Sequence, residues 1–356
     1  MGALAKNSGV VKGFVTIAAI FIIFAGVKTA ANILVPFLLA LFIAIICNPL
    51  VAKASKYKVP KAISVIIVIG LFVTIALSLA GLVGKSLNEL SLLIPQYRLQ
   101  LKEQFVWLTA FLARYNLQIS SAILLEYFDP AVAMGMAANM LSGFGSVMAN
   151  LFLIILTVVF MLFEASSFPI KLHFALDDPE MRLKQIERFL ESVNNYIAIK
   201  TMVSIATGII VSTMLWAFGL DFFLLWGVLA FLLNYIPNIG SIIAAVPAVT
   251  LAALQLGLPE AGAIGLGYML INMIMGNMVE PRYLGKGLGL STLVVFLSLI
   301  FWGWLLGTVG MLLSVPLTMI VKIAFENSPE GRWLAILLSD EATVEREAEQ
   351  ALSVES

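Results

Sequence analysis

The chain has 356 residues, of which 61% are hydrophobic and only 12% charged, and its mean hydropathy is +1.03. A water-soluble domain of this composition would expose large apolar patches, so the values exclude one. The 21 basic and 21 acidic residues balance, which gives no indication of binding to nucleic acid or to another polyanion.

Long apolar tracts indicate an integral membrane protein. A helix of about 20 apolar residues spans the roughly 30 Å hydrocarbon layer, and continuous rather than alternating tracts favour helices over a β-barrel. We therefore predict an all-α, polytopic membrane helical bundle. It would contain about eight transmembrane helices, with an amphipathic helical insert before the fourth.

Residues 1–84 are predicted to form the first three transmembrane helices. The tract at 13–50 is too long for one crossing and divides into two helices, and a third crossing follows at 62–84. No cleavage motif follows the first tract. The loop between the second and third helices carries Lys53, Lys56, Lys58 and Lys61, which by the positive-inside rule makes it and the N-terminus cytoplasmic.

Residues 85–142 form a predicted extramembrane amphipathic insert. Leu101, Phe105, Leu108 and Leu112 follow a helical spacing, which is typical of a surface helix. The insert is interpreted either as a cap packed on the bundle or as a lid over a pathway. Residues 143–200 then contain the fourth transmembrane helix and a cytoplasmic amphipathic helix that begins near Pro179.

Residues 201–325 are predicted to be a C-terminal transmembrane bundle with broken segments, followed by a cytoplasmic acidic tail at 326–356. Two tracts, 222–257 and 290–323, exceed one ordinary crossing. Each is consistent with one tilted helix or with a broken pair. Counting each as one crossing gives eight crossings with both termini in the cytoplasm.

Glu280 is a candidate functional residue, because a charged side chain at mid-bilayer costs about 2.5–3.5 kcal/mol. Glu164 and Asp221 lie at the ends of their crossings, where water reaches them. Glu280 is different, because Pro281 follows it, and a proline ends or kinks a helix. At such a break Glu280 and Arg282 are predicted to pair.

A second interruption occurs in the segment LLNYIPNIGS, and two interruptions in one half of a membrane protein favour a transport pathway over an interfacial loop. Both interpretations stay open for the segment around Pro281. The predicted path or gate residues are Asn234, Tyr235, Pro237, Asn238, Gly240, Glu280, Pro281, Arg282 and Gly285.

Three glycines in the last tract, Gly303, Gly307 and Gly310, are predicted to be helix-packing positions, since small residues let membrane helices approach closely. The sequence contains no phosphate-binding loop, HExxH or GxSxG motif. Its single histidine and single cysteine do not indicate a metal site. We therefore expect no catalytic residues, no cofactor and no bound metal.

The order and spacing of these motifs resemble the AI-2E family of bacterial inner-membrane transporters. The YIPxxG-like signature of that family corresponds to 235–240, its EPxxxG to 280–285, and its closing VP to 315–316, and the similarity covers about 13–322. Many members have a His-Pro or similar pair where this chain has Ser291 and Thr292, and a proline in place of Ser241. No role of that histidine is transferred.

The resemblance implies export of a small polar molecule, and the quorum-sensing signal autoinducer-2 is the eponymous substrate. The leading hypothesis is therefore a secondary transporter or facilitator in the bacterial inner membrane. The alternative is a Na⁺/H⁺ antiporter with Glu280 as the exchanging carboxylate, and a third hypothesis is a membrane scaffold without transport. Expected partners are the lipid bilayer, a small polar substrate and, for an antiporter, Na⁺ or H⁺, while the glycine-rich last tract is compatible with a homo-oligomer.

Overall fold

A computed structural model describes residues 2–113, 135, 149–175, 179–237, 239–284, 289–326, 328, 331–341 and 343–345. Its regular elements are all helical, which confirms the predicted all-α membrane bundle. The helices are α1 Gly2–Thr29, α2 Ala31–Lys56, α3 Lys61–Ala113, α4 Leu151–Glu164, α5 Phe168–Ala175, α6 Pro179–Ala217, α7 Phe223–Leu233, α8 Gly240–Gln255, α9 Leu258–Ile274, a π-helical turn Met275–Val279, α10 Glu280–Leu284, α11 Thr292–Leu312, α12 Ser314–Glu326 and α13 Arg332–Leu338.

Five of the described helical stretches are long and apolar enough to cross a membrane: Ala31–Lys56, Lys61–Leu90, Leu190–Ala217, Leu258–Tyr283 and Thr292–Leu312. Four shorter apolar stretches, Phe14–Thr29, Leu151–Glu164, Phe223–Leu233 and Gly240–Gln255, accompany them. The exposed surface of these helices is rich in large apolar side chains, as expected of a surface that faces lipid.

The lysine-rich loop marks one end of the bundle. The Lys61 ammonium donates to the Phe163 carbonyl at 2.9 Å and to the Ser166 hydroxyl at 2.7 Å, so the start of α3 and the end of α4 meet there. The two helices then pack on α2 through a cluster that includes Val65 and Val158. We call this the lysine-rich end, and the end formed by the α1–α2 turn and the start of α4 the opposite end.

The third transmembrane helix does not stop where the insert was predicted to begin, because α3 runs without interruption for 53 residues, roughly 80 Å. Past the apolar stretch, the Tyr97 hydroxyl donates to the Asp221 carboxylate at 2.8 Å. Burial and then this hydrogen bond raise the pKa of the Tyr97 hydroxyl well above its usual value, so Tyr97 remains a donor. The predicted insert between 114 and 142 lies outside the described residues, apart from residue 135.

The long tract at 222–257 is a broken pair of helices, α7 and α8, rather than one tilted helix. Helix α7 packs antiparallel to α6. The Asn234 side-chain amide, just after α7, donates to the Ser204 hydroxyl, and the Ser212 hydroxyl donates to the Phe223 carbonyl at the start of α7. The Gln255 side chain, at the end of α8, accepts from the Asp221 backbone N–H at 2.9 Å. The outer ends of α7 and α8 therefore lie together, and the 234–239 turn forms the tip of a hairpin.

The long tract at 290–323 is also divided into two packed helices, α11 and α12. The Trp302 indole N–H donates to the Thr318 hydroxyl at 3.0 Å, which links the two helices. Helix α13 packs on α12 in turn, and the Ser291 backbone N–H donates to the Leu338 carbonyl at 3.1 Å. The first part of the predicted acidic tail is thus folded against the start of α11.

Candidate functional site

A stripe of polar side chains runs along the buried face of α6. Tyr196, Lys200, Ser204 and Thr207 follow one another at intervals of four, four and three residues, which places them on one side of the helix. All four are buried, at 5%, 3%, 0% and 4% exposure. A membrane helix with polar groups on its lipid-free face is typical of a helix that lines a substrate or ion pathway.

Lys200, which is buried, and Glu280, which is partly buried, form an ion pair at the centre of the site. The Lys200 ammonium lies 2.7 Å and 2.8 Å from the two carboxylate oxygens of Glu280, and the two side chains are only 4% and 17% exposed. Both charges are therefore neutralised by direct hydrogen bonds. Since removing one member of a buried pair typically costs about 3–5 kcal/mol, the two side chains depend on each other.

The π-helical turn at Met275–Val279 directs Glu280 toward α6. It precedes Pro281, whose ring lacks an N–H, and π-helical turns occur frequently at functional sites. The predicted break at Pro281 is thus a change of helical register, and α10 continues to Leu284. Gly285 lies outside the described residues.

The predicted Glu280–Arg282 ion pair is wrong. Helix α10 includes both residues, and side chains two apart on a helix do not face each other. Arg282 is exposed, while Glu280 binds Lys200. The pairing failed because it assumed a non-helical break at Pro281.

Sequence reasoning missed Lys200, although the signal was present. It is a base between Ile199 and Thr201 at the start of an apolar tract. The same argument about the cost of a charge at membrane depth that singles out Glu280 applies equally to a lysine. A buried lysine and a partly buried glutamate in one apolar bundle predict each other, since either charge alone is unfavourable.

The hairpin tip brings the second predicted interruption to the same part of α6. The Asn234 side-chain amide donates to the Ser204 hydroxyl at 2.9 Å, and the Tyr235 hydroxyl donates to the Thr201 hydroxyl at 2.7 Å. Thr201 is adjacent to Lys200 in sequence, so the tip lies beside the ion pair. The two interruptions, separate in sequence, thus converge on one helix.

Pro237 and Gly240 shape this tip. The chain turns at Pro237, and Gly240 begins α8 with its Cα against the Leu233 carbonyl oxygen, where a Cβ would overlap that atom. Only glycine allows this close approach of the two hairpin arms. The predicted path residue Asn238 lies outside the described residues.

A polar cavity of about 510 Å³ lies at the opposite end of the bundle. Its wall includes Lys28, Asn32, Asn150 and Thr308, together with Trp304, whose ring lies 4.2 Å from the Lys28 ammonium. Leu305 and Leu306 also line it. These two leucines belong to the same buried cluster as Tyr196, so the floor of the cavity is continuous with the packing around α6.

The three glycines of α11 lie at and around a kink in the helix. Gly307 has a left-handed φ of +70°, which breaks the helix, and no atom lies within 4 Å of a Cβ built there. Gly303 lies against Met311 and Gly310 against the Trp302 carbonyl, on either side of the kink. Gly307 therefore bends the helix, and Gly303 and Gly310 lie in close contact with residues on the other side of the bend.

Comparison with known proteins assigns the family. The family model described as AI-2E family transporter matches residues 15–330. The chain belongs to the AI-2E transporter family. The match includes both interruptions, the ion pair and the kinked α11.

Three relatives are similar over nearly their whole length. The chain is 47% identical to the AI-2 transport protein TqsA of Escherichia coli (strain K12) over 319 residues, which is 90% of this chain and 93% of that protein. It is 45% identical to a putative transport protein of Haemophilus influenzae over 91% of this chain and 95% of the relative. The putative transport protein YhhT of E. coli K12 is 41% identical over 90% and 92%.

Proposed function

We propose that this AI-2E family member is a secondary transporter or facilitator that exports a small polar molecule such as autoinducer-2 across the bacterial inner membrane. The observation that carries the proposal is the buried Lys200–Glu280 pair at the hairpin tip. A bundle that served only as a scaffold would be simpler to build with apolar packing, since a buried ion pair is often no better for stability than hydrophobic residues. The similarity to TqsA supports the substrate class.

The ion pair acts as the gate at the lysine-rich end. Lys200 holds Glu280, and the neighbouring contacts of Asn234 with Ser204 and of Tyr235 hold the hairpin tip closed. A solute with several hydroxyl groups replaces these hydrogen bonds as the tip moves, so that the freed polar groups keep partners during passage. The cavity around Lys28 forms the opening at the opposite end.

The lysine-rich end faces the cytoplasm in this proposal, and both termini are cytoplasmic. The supporting observation is the cluster of lysines between α2 and α3, which the positive-inside rule places on the cytoplasmic side. Export then runs from the Lys200–Glu280 gate to the cavity at the opposite end. Labelling of a cysteine introduced at exposed Lys58 by an impermeant thiol reagent in intact spheroplasts would contradict this orientation, and labelling only after lysis supports it.

The experiment that tests transport is efflux of labelled autoinducer-2 from proteoliposomes. Efflux faster than from protein-free liposomes supports the proposal, and equal rates overturn it for this substrate. Lys200→Gln and Glu280→Gln are expected to alter the rate, while the reversed pair Lys200→Glu with Glu280→Lys restores it toward wild type. The matched control is Glu164→Gln, which removes one partner of an exposed ion pair with Lys171.

Na⁺/H⁺ antiport is the second candidate, because Glu280 is a carboxylate with only 17% of its side chain exposed. In this mechanism Na⁺ and a proton alternate on Glu280, and Lys200 has to release it in each cycle. A ΔpH-sensitive dye in proteoliposomes tests the role. Glu280→Gln that retains full Na⁺-dependent proton movement excludes it, whereas loss of the signal with Glu164→Gln unaffected supports it.

A further inference from the structure

Tyr268 carries a buried hydroxyl without a partner. Among the described residues, its oxygen is the one buried side-chain N or O atom that makes no hydrogen bond within the protein. The residue is only 5% exposed and belongs to the apolar cluster around α7 and α8. Buried polar groups are nearly always paired, so an unpaired one in a rigid core calls for a physical explanation.

The position of Tyr268 on α9 places it inside the bundle. Ala261, Ile264 and Tyr268 form the buried face of the helix, while Leu266, Met269 and Leu270 on the other side are exposed. Since a phenylalanine would fill almost the same space without the unpaired group, packing alone does not require a tyrosine at this position. The unpaired hydroxyl therefore makes this conformation less stable than a phenylalanine at the same position would.

Tyr268 lies nearer to the opposite end of the bundle than Glu280 does. Twelve residues separate it from Glu280 along the helix, a distance of about 18 Å. Its neighbour Gly267 contacts Met214, which lies 14 residues beyond Lys200 on α6. Leu299 belongs to the same cluster as Tyr268 and precedes the cavity-lining Leu305 on α11. The hydroxyl is therefore displaced from Glu280 toward the opposite end of the bundle, the end at which the cavity lies.

We infer that the Tyr268 hydroxyl is a binding group for the transported solute, which supplies the missing partner as it passes from the gate toward the opposite end. This inference rests on the proposed transport function. A phenol both donates and accepts one hydrogen bond, so it suits a neutral solute that presents hydroxyl or carbonyl oxygens. It gives no charge with which to hold a bare cation, and thus favours a hydroxylated organic substrate.

The test is Tyr268→Phe in the full-length protein, with thermal stability and transport measured together. Because the substitution deletes only an unpaired buried oxygen, we expect an unchanged or higher Tm. We expect the initial rate of labelled autoinducer-2 efflux and its binding affinity in detergent to fall about tenfold, the factor for one well-formed hydrogen bond. Tyr57→Phe is the matched control, since Tyr57 is exposed at the end of α2.

Two results would overturn the inference. An unchanged efflux rate and affinity in Tyr268→Phe would show that the solute does not use the hydroxyl, and a lower Tm would show that the hydroxyl has a structural partner. Failure of the proposed function is read separately from the wild-type protein. If the wild-type protein binds autoinducer-2 but does not transport it, the proposed function fails and the affinity of Tyr268→Phe alone decides the inference. If the wild-type protein neither binds nor transports it, both the proposed function and the inference are overturned.

Discussion

The Lys200 ammonium and the Glu280 carboxylate are in direct contact although 80 residues separate them in the chain. The contact joins the middle of α6 to the start of α10, so it fixes the π-helical turn against the helix that carries the other buried polar groups. Because Thr201 also holds the hairpin tip through Tyr235, movement of this one region of α6 would alter both interruptions. This shared contact is the physical basis for treating them as one gate.

Removal of one charge at this pair is expected to destabilise the protein. Lys200→Met leaves the Glu280 carboxylate buried without a counter-charge, which should lower the free energy of unfolding by about 3–5 kcal/mol. The double variant Lys200→Met with Glu280→Met should recover most of the loss, because an apolar pair of similar size is often neutral or stabilising. Cys47, the only cysteine and 3% exposed, reports unfolding by its reaction with a thiol-specific dye on heating.

An exposed ion pair supplies the control for that measurement. Lys171→Met removes the partner of Glu164, whose side chain is 53% exposed, so its effect on unfolding should be small. Equal melting temperatures for Lys200→Met and wild type would contradict the importance of the buried pair. A double variant as unstable as the sum of its single variants would contradict their coupling.

The hydrogen bond between Asn234 and Ser204 is expected to contribute measurably to closing the hairpin tip. Asn234→Ala leaves the fully buried Ser204 hydroxyl without that donor, which should cost about 1–3 kcal/mol of folding free energy. Ser204→Ala should cost a similar amount, and the double variant less than the sum. A double-mutant cycle by thiol-dye melting gives the coupling energy, and a value near zero would contradict the hydrogen bond.

Features that depend on the local sequence could be predicted, whereas features that depend on contacts between segments far apart in the chain could not. Hydropathy and lysine distribution are local properties, so they located the membrane helices and the lysine-rich loop. The prolines and glycines located both interruptions for the same reason. The partner of Glu280 was mispredicted because it lies on another helix, and hydropathy could not show that the tract at 222–257 folds back on itself, since this depends on contacts such as that between Asp221 and Gln255.

Gly240 tests whether the two arms of the hairpin need their close approach. Gly240→Ala places a methyl group onto the Leu233 carbonyl oxygen, which forces the tip to shift and should lower stability by about 1–3 kcal/mol. The control is Gly262→Ala in α9, where no atom lies within 4 Å and the higher helix propensity of alanine should raise stability slightly. Equal melting temperatures for Gly240→Ala and Gly262→Ala, whether both fall below wild type or both match it, would contradict the steric role of Gly240.

The segment after α12 is expected to support the start of α11, not to behave as a passive tail. Leu338 packs partly buried against the cluster around Tyr196, and its carbonyl accepts from the Ser291 N–H, whereas Leu337 is 66% exposed. Leu338→Ser should therefore lower the melting temperature and the efflux rate, because it removes apolar burial beside the first turn of α11. Leu337→Ser provides the matched control and should resemble wild type. Thiol-dye melting and proteoliposome efflux measure both effects, and equal behaviour of the two variants would show that this segment does not hold α11 in place.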